Sequence, residues 1–396
     1  MEKKNMMDKI IGILKGKSEI SAWTISESED TSVELFFIRE KMDMNRMTNT
    51  HEFSVRIYVD FTEDHVQYKG HSSCVIGISD SLEEIENKID SAVFSAKFVK
   101  NKWYDLPANP SNEYTKNRKF SNIDDLKDQF PVVHKIIYDD YGTRSKVNSC
   151  EIFAVEGTRR TVTSKGTDIS YPYSEFTFEV VTDCNQGNEP VEIFNGYYLT
   201  HIDHEQIRTI IKKQLSETEG RSVAVRNPKL TNQRLILSGD AVEDFLFYYI
   251  SQASDYYIYT GVSHAKRGEN FQKEDAKEKL NLTLNPTLDC SIYARPVDTE
   301  GKIMKSYNLY TDGKVTNIQT SASRYSHYLG VENMGSCSTF EVKGGDTALS
   351  DFMKEDHIEI IAFSSFNIDM ETGDFGGEFR LAKQVVGGKT HYLTGG

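Results

Sequence analysis

The hydrophobic pattern of the first hundred residues changes from the period of a strand to that of a helix. Apolar side chains occupy every second position from 53 to 61, which is typical of a half-buried strand. Apolar runs at 33–40 and 73–78 predict neighbouring strands. Ser81 and Glu84 then form a capping-box sequence at the start of a helical stripe. The apolar members of this stripe are Ile85, Ile89, Ala92, Val93 and Ala96. We therefore expect a sheet with an amphipathic helix packed on it.

The central part of the chain begins with helical signals and continues with strands. A helical pattern runs from 121 to 138 and contains Pro131, which must begin a new helix or kink the first one. Two β-prone runs, 149–155 and 158–164, flank Gly157. Because glycine favours tight turns, we predict a hairpin that turns at this residue.

Further strands and a long helix complete the central part. Strands are predicted at 175–182 and 191–198, and Asp203 can cap the helix that follows. The apolar face of this helix consists of Ile207, Ile210, Ile211 and Leu215. Gly220 is its predicted end, and we place a domain boundary there.

Glycine content changes at this boundary. Residues 221–396 contain 16 of the 26 glycines, which indicates turn-dense β-structure. One helix is predicted at 240–253, and short strands are predicted at 282–284, 303–309, 340–342, 358–366 and 378–386. We therefore expect an α+β fold with three parts. These are an N-terminal sheet-plus-helix unit (1–115), an antiparallel, hairpin-rich middle segment (116–220) and a Gly-rich, mostly β C-terminal domain (221–396).

Composition narrows the classes of function. The net charge of −14 disfavours direct nucleic-acid binding, and the basic runs Lys116–Lys119 and Arg159–Arg160 are too short to form a patch. No apolar run approaches the roughly 20 residues that cross a membrane. The cysteines are Cys74, Cys150, Cys184, Cys290 and Cys337, with no CxxC pair. Their odd number and wide spacing predict free thiols and a cytoplasmic protein.

Motifs for nucleophilic catalysis are incomplete. The nearest approach to a GxSxG elbow is Gly261–His264, but Ala265 replaces the second glycine, so a plain loop is the better interpretation. Cys337 could act as a nucleophile with His327 and Asp346 as base and orienting group. A small, half-buried thiol in a turn region is the simpler alternative.

Metal motifs are also incomplete, because HExxH is absent. The nearest approach to a metal-binding group is His201, His204 and Glu205. Polar residues at the start of a helix are the simpler interpretation. His51 and Glu52 begin an alternating strand, so their side chains should point to opposite faces and not share an ion.

Several segments of the C-terminal third resemble one known family in the same order. They are Arg295–Gly301 with Lys305–Val315, Ser323–Gly330 with the turn Gly335–Thr339, Gly344–Ser350, and Glu371–Gly377. The first pair resembles the "P-x-D-x-E-G … L-x-x-x-G-x-L/V" stretch of the TldD/PmbA family, peptidase-complex proteins once called modulators of DNA gyrase. The order of elements upstream also fits, so the resemblance spans most of the chain.

The resemblance also implies where the metal-binding helix of catalytic members would lie in this chain. Catalytic members have an HExxxH helix that binds the metal, and their PmbA/TldE-type partners lack it. The corresponding helix here is 240–253, where Phe247 and Gln252 stand at the histidine positions and Tyr248 at the glutamate position. We therefore expect no catalytic residue and no metal in this chain, with zinc in a partner subunit. The candidates for peptide or partner binding are Gly335, Gly344, Gly345, Gly373, Asp374 and Phe375. For each glycine, a tight turn is an equally good interpretation.

The leading hypothesis is a non-catalytic, metal-free subunit of a TldD/TldE-like metallopeptidase complex that cleaves peptides or unfolded segments. Its partner is expected to be an HExxxH-bearing, TldD-like subunit in a homo- or heterodimer. One alternative is a self-sufficient hydrolase, which should lose activity on Cys337→Ala. Another is a protein-binding regulator, like a gyrase modulator, without enzymatic activity.

Overall fold

A computed structural model describes residues 2–114, 122–226 and 231–396, with side chains from residue 6 onward. The fold is α+β, as predicted. Its first elements are α1 (Glu2–Gly16), β1 (Ala22–Ile38), β2 (Lys41–Glu63), β3 (Val66–Gly77), α2 (Leu82–Ala96) and β4 (Asn101–Lys102). The predicted capping box is confirmed, since the Glu84 N–H donates to Ser81 Oγ and the Ser81 N–H donates to Glu84 Oε2. The predicted apolar stripe of α2 is buried.

The central elements follow. They are α3 (Ile123–Asp128), α4 (Phe130–Ile137), β5 (Lys146–Thr163), β6 (Asp168–Cys184), β7 (Val191–Leu199) and α5 (His204–Ser222). Pro131 lies in the first turn of α4, so it begins a new helix. The predicted helix start at 121 and the basic run Lys116–Lys119 lie outside the described residues.

The predicted hairpin at Gly157 is wrong. β5 runs through this residue without a turn, and Gly157 pairs with Tyr173 of β6. A Cβ atom at Gly157 would lie 2.3 Å from the Asp30 carboxylate and 2.5 Å from the Tyr173 ring. The glycine therefore allows neighbouring side chains to approach each other rather than turning the chain.

The predicted helix end at Gly220 is also wrong. α5 continues to Ser222, and a Cβ atom at Gly220 would lie 2.4 Å from the Tyr392 ring. This glycine lets the C-terminal part of the chain pack closely against α5. The predicted cap is confirmed, since Asp203 accepts the N–H groups of Glu205 and Gln206, at 3.0 Å each.

The first two parts form one antiparallel sheet in the order β4-β3-β2-β1-β5-β6-β7. The predicted boundary at 115/116 therefore separates two halves of a single sheet. One core packs α1 and α2 around Ile25 of β1, and a second packs α3, α4 and α5 around Phe37 of the same strand. Because both residues are odd-numbered, both cores lie on the same face of the sheet.

The C-terminal part is rich in short strands, as predicted. Its elements are β8 (Val225–Arg226), β9 (Leu235–Leu237), α6 (Asp240–Gln252), α7 (Asp255–Thr260), β10 (Leu282–Leu284), β11 (Tyr307–Thr311), β12 (Lys314–Val315), α8 (Ser323–Leu329), β13 (Phe340–Val342), α9 (Leu349–Phe352), β14 (His357–Ile368), β15 (Phe375–Val386) and β16 (Lys389–Thr394). They form two sheets, β12-β11-β10-β13 and β8-β16-β15-β14-β9. The strand predicted at 303–309 begins later, because Ile303 instead forms an isolated bridge with Val297. No helix among the described residues is long and apolar enough to cross a membrane.

Candidate functional site

Helix α6 turns one side to the core and the other to solvent. Ile250 is buried, and the Tyr249 ring packs edge-on against Tyr310 with 6.0 Å between centroids. The Tyr310 hydroxyl also donates to the Tyr249 carbonyl at 2.7 Å. Phe247 points away and is 53% exposed. The helix therefore holds a large apolar ring at the surface.

The hairpin that joins β14 to β15 ends in a tight turn. The Asp369 carboxylate accepts the N–H groups of Glu371 at 2.8 Å and Thr372 at 3.0 Å, and these bonds hold the pKa of Asp369 below its usual value. Gly373 has φ +76°, and its N–H donates to the Asp369 carbonyl. The positive φ explains the glycine at this position.

The structure brings α6 and this hairpin together. The buried Gln252 amide donates to the Met370 carbonyl, and the Tyr248 hydroxyl lies 3.0 Å from where a Cβ of Gly373 would be. The Phe375 ring packs edge-on against Phe245, with centroids 5.6 Å apart. We call Tyr248, Gln252, Met370, Gly373 and Phe375 the α6–hairpin site. It unites two groups of residues that the sequence suggested separately.

The other predicted glycines lie elsewhere. Gly335 has φ +83°, and a Cβ there would be 2.5 Å from Met304 Cγ. A Cβ at Gly345 would be 2.8 Å from the Glu278 carboxylate, whereas Gly344 faces open space. Gly335 therefore supports the packing of Met304, and none of the three belongs to the α6–hairpin site.

Met304 lies in the wall of a cleft of about 830 Å³. One wall is the segment 109–114, which follows the N-terminal sheet, and the other consists of 285–287, 302–306 and 332–334. Gly335 lies directly behind this second wall, since its N–H donates to Asn333 Oδ1 at 3.0 Å. The cleft is a separate feature from the α6–hairpin site.

The Arg295–Gly301 segment folds around one buried carboxylate. Asp298 is only 3% exposed and accepts the N–H groups of Glu300 and Lys302 at 2.9 Å and of Ser336 at 3.1 Å. Burial raises the pKa of Asp298, and the backbone donors act in the opposite direction. Asp298 therefore ties this turn to the segment that contains Gly335.

Gly301 attaches the same turn to the seven-stranded sheet. It has φ +89°, and a Cβ there would lie 2.4 Å from the Thr163 methyl group. Its carbonyl accepts hydrogen bonds from the Asn109 amide at 2.7 Å and the Thr167 hydroxyl at 3.0 Å. Sequence reasoning did not assign this structural role to Asp298 and Gly301, although an Asp followed by a Gly three residues later is typical of such turns.

Residues 231–395 match the family model described as the PmbA/TldA metallopeptidase C-terminal domain. The matched C-terminal domain, residues 231–395, belongs to the TldD/PmbA family. Every segment that carried the resemblance lies inside the matched residues. Among curated proteins, no sequence matches the chain.

Solved structures are similar to this chain over all or nearly all of its length. TldE from Thermococcus kodakarensis has a TM-score of 0.75 at 15% identity, covering 100% of this chain and 91% of that one. A candidate modulator of a DNA gyrase from Thermotoga maritima has a TM-score of 0.73 at 14% identity, covering 98% and 90%. A candidate modulator of DNA gyrase from Bacteroides thetaiotaomicron has a TM-score of 0.73 at 16% identity, covering 100% and 90%. At these identities the likeness establishes the fold.

The α6 positions of this chain do not fit a zinc site. Phe247 has no donor atom, and the amide of Gln252 is already bonded to the Met370 carbonyl. Burial raises the pKa of the Tyr248 phenol, which favours the neutral form that binds metals poorly. Within residues 2–114, 122–226 and 231–396, no three His, Cys, Asp or Glu side chains are grouped so that they could hold a metal ion.

The structure separates the residues of the imagined cysteine site. The Cys337 thiol is buried beside the Thr339 carbonyl, and burial raises its pKa. His327 lies on α8 with its ring against Trp103, 5.6 Å between centroids, and its Nδ1 accepts the Asp105 N–H. The thiol therefore has neither the base nor the low pKa of a nucleophile.

Ser263 has a structural role, because its hydroxyl donates to the Gln252 carbonyl at 2.6 Å and so closes the C-terminal end of α6. His51 Nε2 lies 2.9 Å from Glu27 Oε1 on the neighbouring strand. His204 is the first residue of α5, and His201 Nδ1 contacts Thr200 Oγ1 at 3.3 Å. None of these histidines belongs to a ligand group within the described chain.

Proposed function

We propose that this chain is the metal-free, non-catalytic subunit of a TldD/TldE-like metallopeptidase complex that acts on peptides or unfolded segments in the cytoplasm. The observation that supports this proposal most directly is the hydrogen bond that the Gln252 side chain makes. Its buried amide holds the Met370 carbonyl at a position where the resemblance places a zinc-binding histidine in catalytic members. The zinc and the hydrolytic carboxylate would come from an HExxxH-bearing partner subunit. The similarity of the fold to a protein described as TldE is consistent with this role.

The β14–β15 hairpin offers a way to hold a peptide. β9 pairs only with Ile358–Ile360 of β14, and β16 pairs only with Ala382–Val386 of β15. The backbone of Gly395 and Gly396 continues the pairing as far as Phe379, and from there toward the turn no other described strand pairs with either edge. Such an edge can bind an extended peptide through its backbone. In our proposal, peptide or partner pairs with this hairpin near Gly373, Asp374 and Phe375.

The experiment is to purify this chain and an HExxxH-bearing family member separately and then mix them. The chain alone is expected to contain no stoichiometric zinc and to cleave no unfolded peptide. The mixture is expected to elute as a larger complex and to cleave. As a control, the glutamate of the partner's HExxxH is changed to Gln, which should preserve the complex and abolish cleavage.

Two results would contradict the proposal. One is zinc at one ion per chain in the isolated protein. The other is peptide cleavage by the isolated chain that persists after treatment with a chelator.

A further inference from the structure

The seven-stranded sheet has a second face, opposite its helices. Near the β1–β2 turn, the side chains on this face are mostly half-buried or exposed, although Glu34 is buried. Phe36, Glu151, Phe153 and Glu179 are half-buried, and Tyr198 is 52% exposed. We call these five residues the acidic–aromatic face.

Strand pairing aligns these residues in two adjacent rows. In the first row, Phe36 of β1 pairs with Glu151 of β5, and Glu151 pairs with Glu179 of β6. In the second row, Phe153 pairs with Thr177, which pairs with Tyr198 of β7. The Phe36 and Phe153 rings meet edge-on, with centroids 5.9 Å apart. Two carboxylates therefore lie side by side among aromatic rings.

These two carboxylates face each other without a cation. Like charges at directly paired positions of neighbouring strands destabilise a sheet. Burial, Glu179 and then Glu34 raise the pKa of Glu151. No Lys, Arg or His of the described residues forms an ion pair with Glu151 or Glu179.

The same sheet face contains two similar groups in which an arginine is present. Arg159 makes two hydrogen bonds with the Asp30 carboxylate, at 2.6 and 2.7 Å, and lies 4.3 Å from the centre of the Tyr173 ring. Absence of a side chain at Gly157 allows Asp30 and Tyr173 to meet across β5. This group combines a carboxylate, an arginine and an aromatic ring.

The second group lies directly beside the acidic–aromatic face. Arg46 pairs with Glu34, and its guanidinium lies 5.9 Å from the centre of the Phe36 ring. An arginine between a carboxylate and a ring gains both ion pairing and a cation–π interaction. The Glu151–Glu179 pair has the carboxylates and the rings of such a group, but none of the described residues supplies its cation.

We propose that the acidic–aromatic face docks a cationic polypeptide segment and that a Lys or Arg side chain of this segment lies between Glu151 and Glu179. The face extends over four adjacent strands, β1, β5, β6 and β7, which is about 15 Å at the spacing of strands in a sheet. That width accommodates a short extended segment or one helix. The inference involves no residue of the α6–hairpin site and does not depend on the proposed peptidase complex.

The test is fluorescence anisotropy of the full chain with labelled peptides of alternating Lys and Ala or of alternating Glu and Ala. We expect the Lys peptide to bind and the Glu peptide not to bind. The double variant Glu151→Gln/Glu179→Gln should weaken binding at least tenfold and flatten its salt dependence. The matched variant Glu83→Gln/Glu86→Gln removes the same charge from α2 and should change affinity less than twofold. Tyr198→Ser should weaken binding several-fold.

Thermal unfolding distinguishes loss of the site from loss of the fold. Because Glu151→Gln/Glu179→Gln removes a repulsion, this variant should melt at or above the temperature of the unchanged chain while binding falls. Equal binding by the two double variants would overturn the proposal. Displacement of the Lys peptide by equimolar spermine would also overturn it, because it would indicate a site for small cations. Concentration-dependent self-association that Glu151→Gln/Glu179→Gln abolishes would overturn it as well, because the occupant would then be a second copy of the chain.

Discussion

The Arg295–Gly301 turn and the α6–hairpin site both contain residues that carried the family resemblance, and they use those residues in opposite ways. In the turn, Asp298 is buried and satisfies three backbone N–H groups, and Gly301 contacts the sheet. Phe375 of the α6–hairpin site is 46% exposed, and Phe247, next to this site on α6, is 53% exposed. The turn residues hold the fold together, whereas the exposed Phe247 can change with little effect on it. The family resemblance therefore includes residues that maintain the fold, whereas our proposal for the type of member depends on α6.

The largest expected effect is that of Asp298→Ala. It leaves three N–H groups without an acceptor in a buried turn, so unfolding free energy in urea should fall by about 3 kcal/mol. Asp298→Asn keeps one acceptor oxygen and should lose less. A loss below about 1 kcal/mol for the alanine variant would contradict the structural role given to the turn.

Gly301→Ala should be the next most destabilising change. Positive φ and the Thr163 methyl group both oppose a Cβ there, so we expect a loss of about 2 kcal/mol in urea unfolding. Gly142 is the control, because it has φ +68° and open space around it. Gly142→Ala should lose about 1 kcal/mol from backbone strain alone. Equal losses would show that contact with the sheet contributes nothing.

Gln252→Ala tests the contact between α6 and the hairpin. It removes one buried hydrogen bond to Met370, so a loss of about 1 kcal/mol is expected. Exchange of the Gly373 amide hydrogen should also accelerate. Gln67→Ala on β3, where the side chain is exposed, should stay within about 0.5 kcal/mol of the unchanged chain. Unchanged amide exchange at Gly373 would argue against the contact.

Phe247→Ser should alter stability by less than about 0.5 kcal/mol, because the ring is exposed. If α6 faces a partner subunit, the same variant should weaken co-elution with an HExxxH-bearing family member. Phe98→Ser removes another exposed ring, on the N-terminal unit, and should leave co-elution intact. Identical co-elution of both variants would exclude Phe247 from the interface.

The smallest effects concern pH, and their signs differ between the two regions. The pKa of Asp298 is raised, so its carboxyl favours the folded state most at low pH, and the deficit of Asp298→Asn should shrink as pH rises through the carboxylate range. The pKa of Asp369 is lowered, so the deficit of Asp369→Asn should instead grow as pH rises through that range. Urea unfolding between about pH 3 and 7 measures both slopes. If the stability deficits of Asp298→Asn and Asp369→Asn changed with pH in the same direction, the predicted difference between the two regions would be wrong.

Elements with local signals could be predicted from sequence. Helix α2 was predicted with its cap, because Ser81, Glu84 and the apolar stripe all lie within sixteen residues. Gly157 and Gly220 were misinterpreted, because glycine serves both positive φ and close approach. Contacts with residues distant in sequence decide between these uses: Asp30 for Gly157 and Tyr392 for Gly220.

The candidate site could be predicted only in part for the same reason. Resemblance pointed to Gln252 and to Gly373, but nothing in either segment indicates that they meet across more than a hundred residues. The partner of Gln252 is the Met370 carbonyl, a backbone group that any residue would supply, so no side-chain signal marks it.

The central position of β1 has a consequence for biosynthesis. β1 pairs with β2 on one side soon after both are made, but its other edge pairs with β5, which ends at Thr163. During translation this edge therefore stays open while more than a hundred further residues leave the ribosome, and open edges promote aggregation of nascent chains. The polar stretch from Ser26 to Ser32 within β1 would keep the waiting edge hydrated. Slower translation between β3 and β5 should lengthen the period in which a chaperone can bind it.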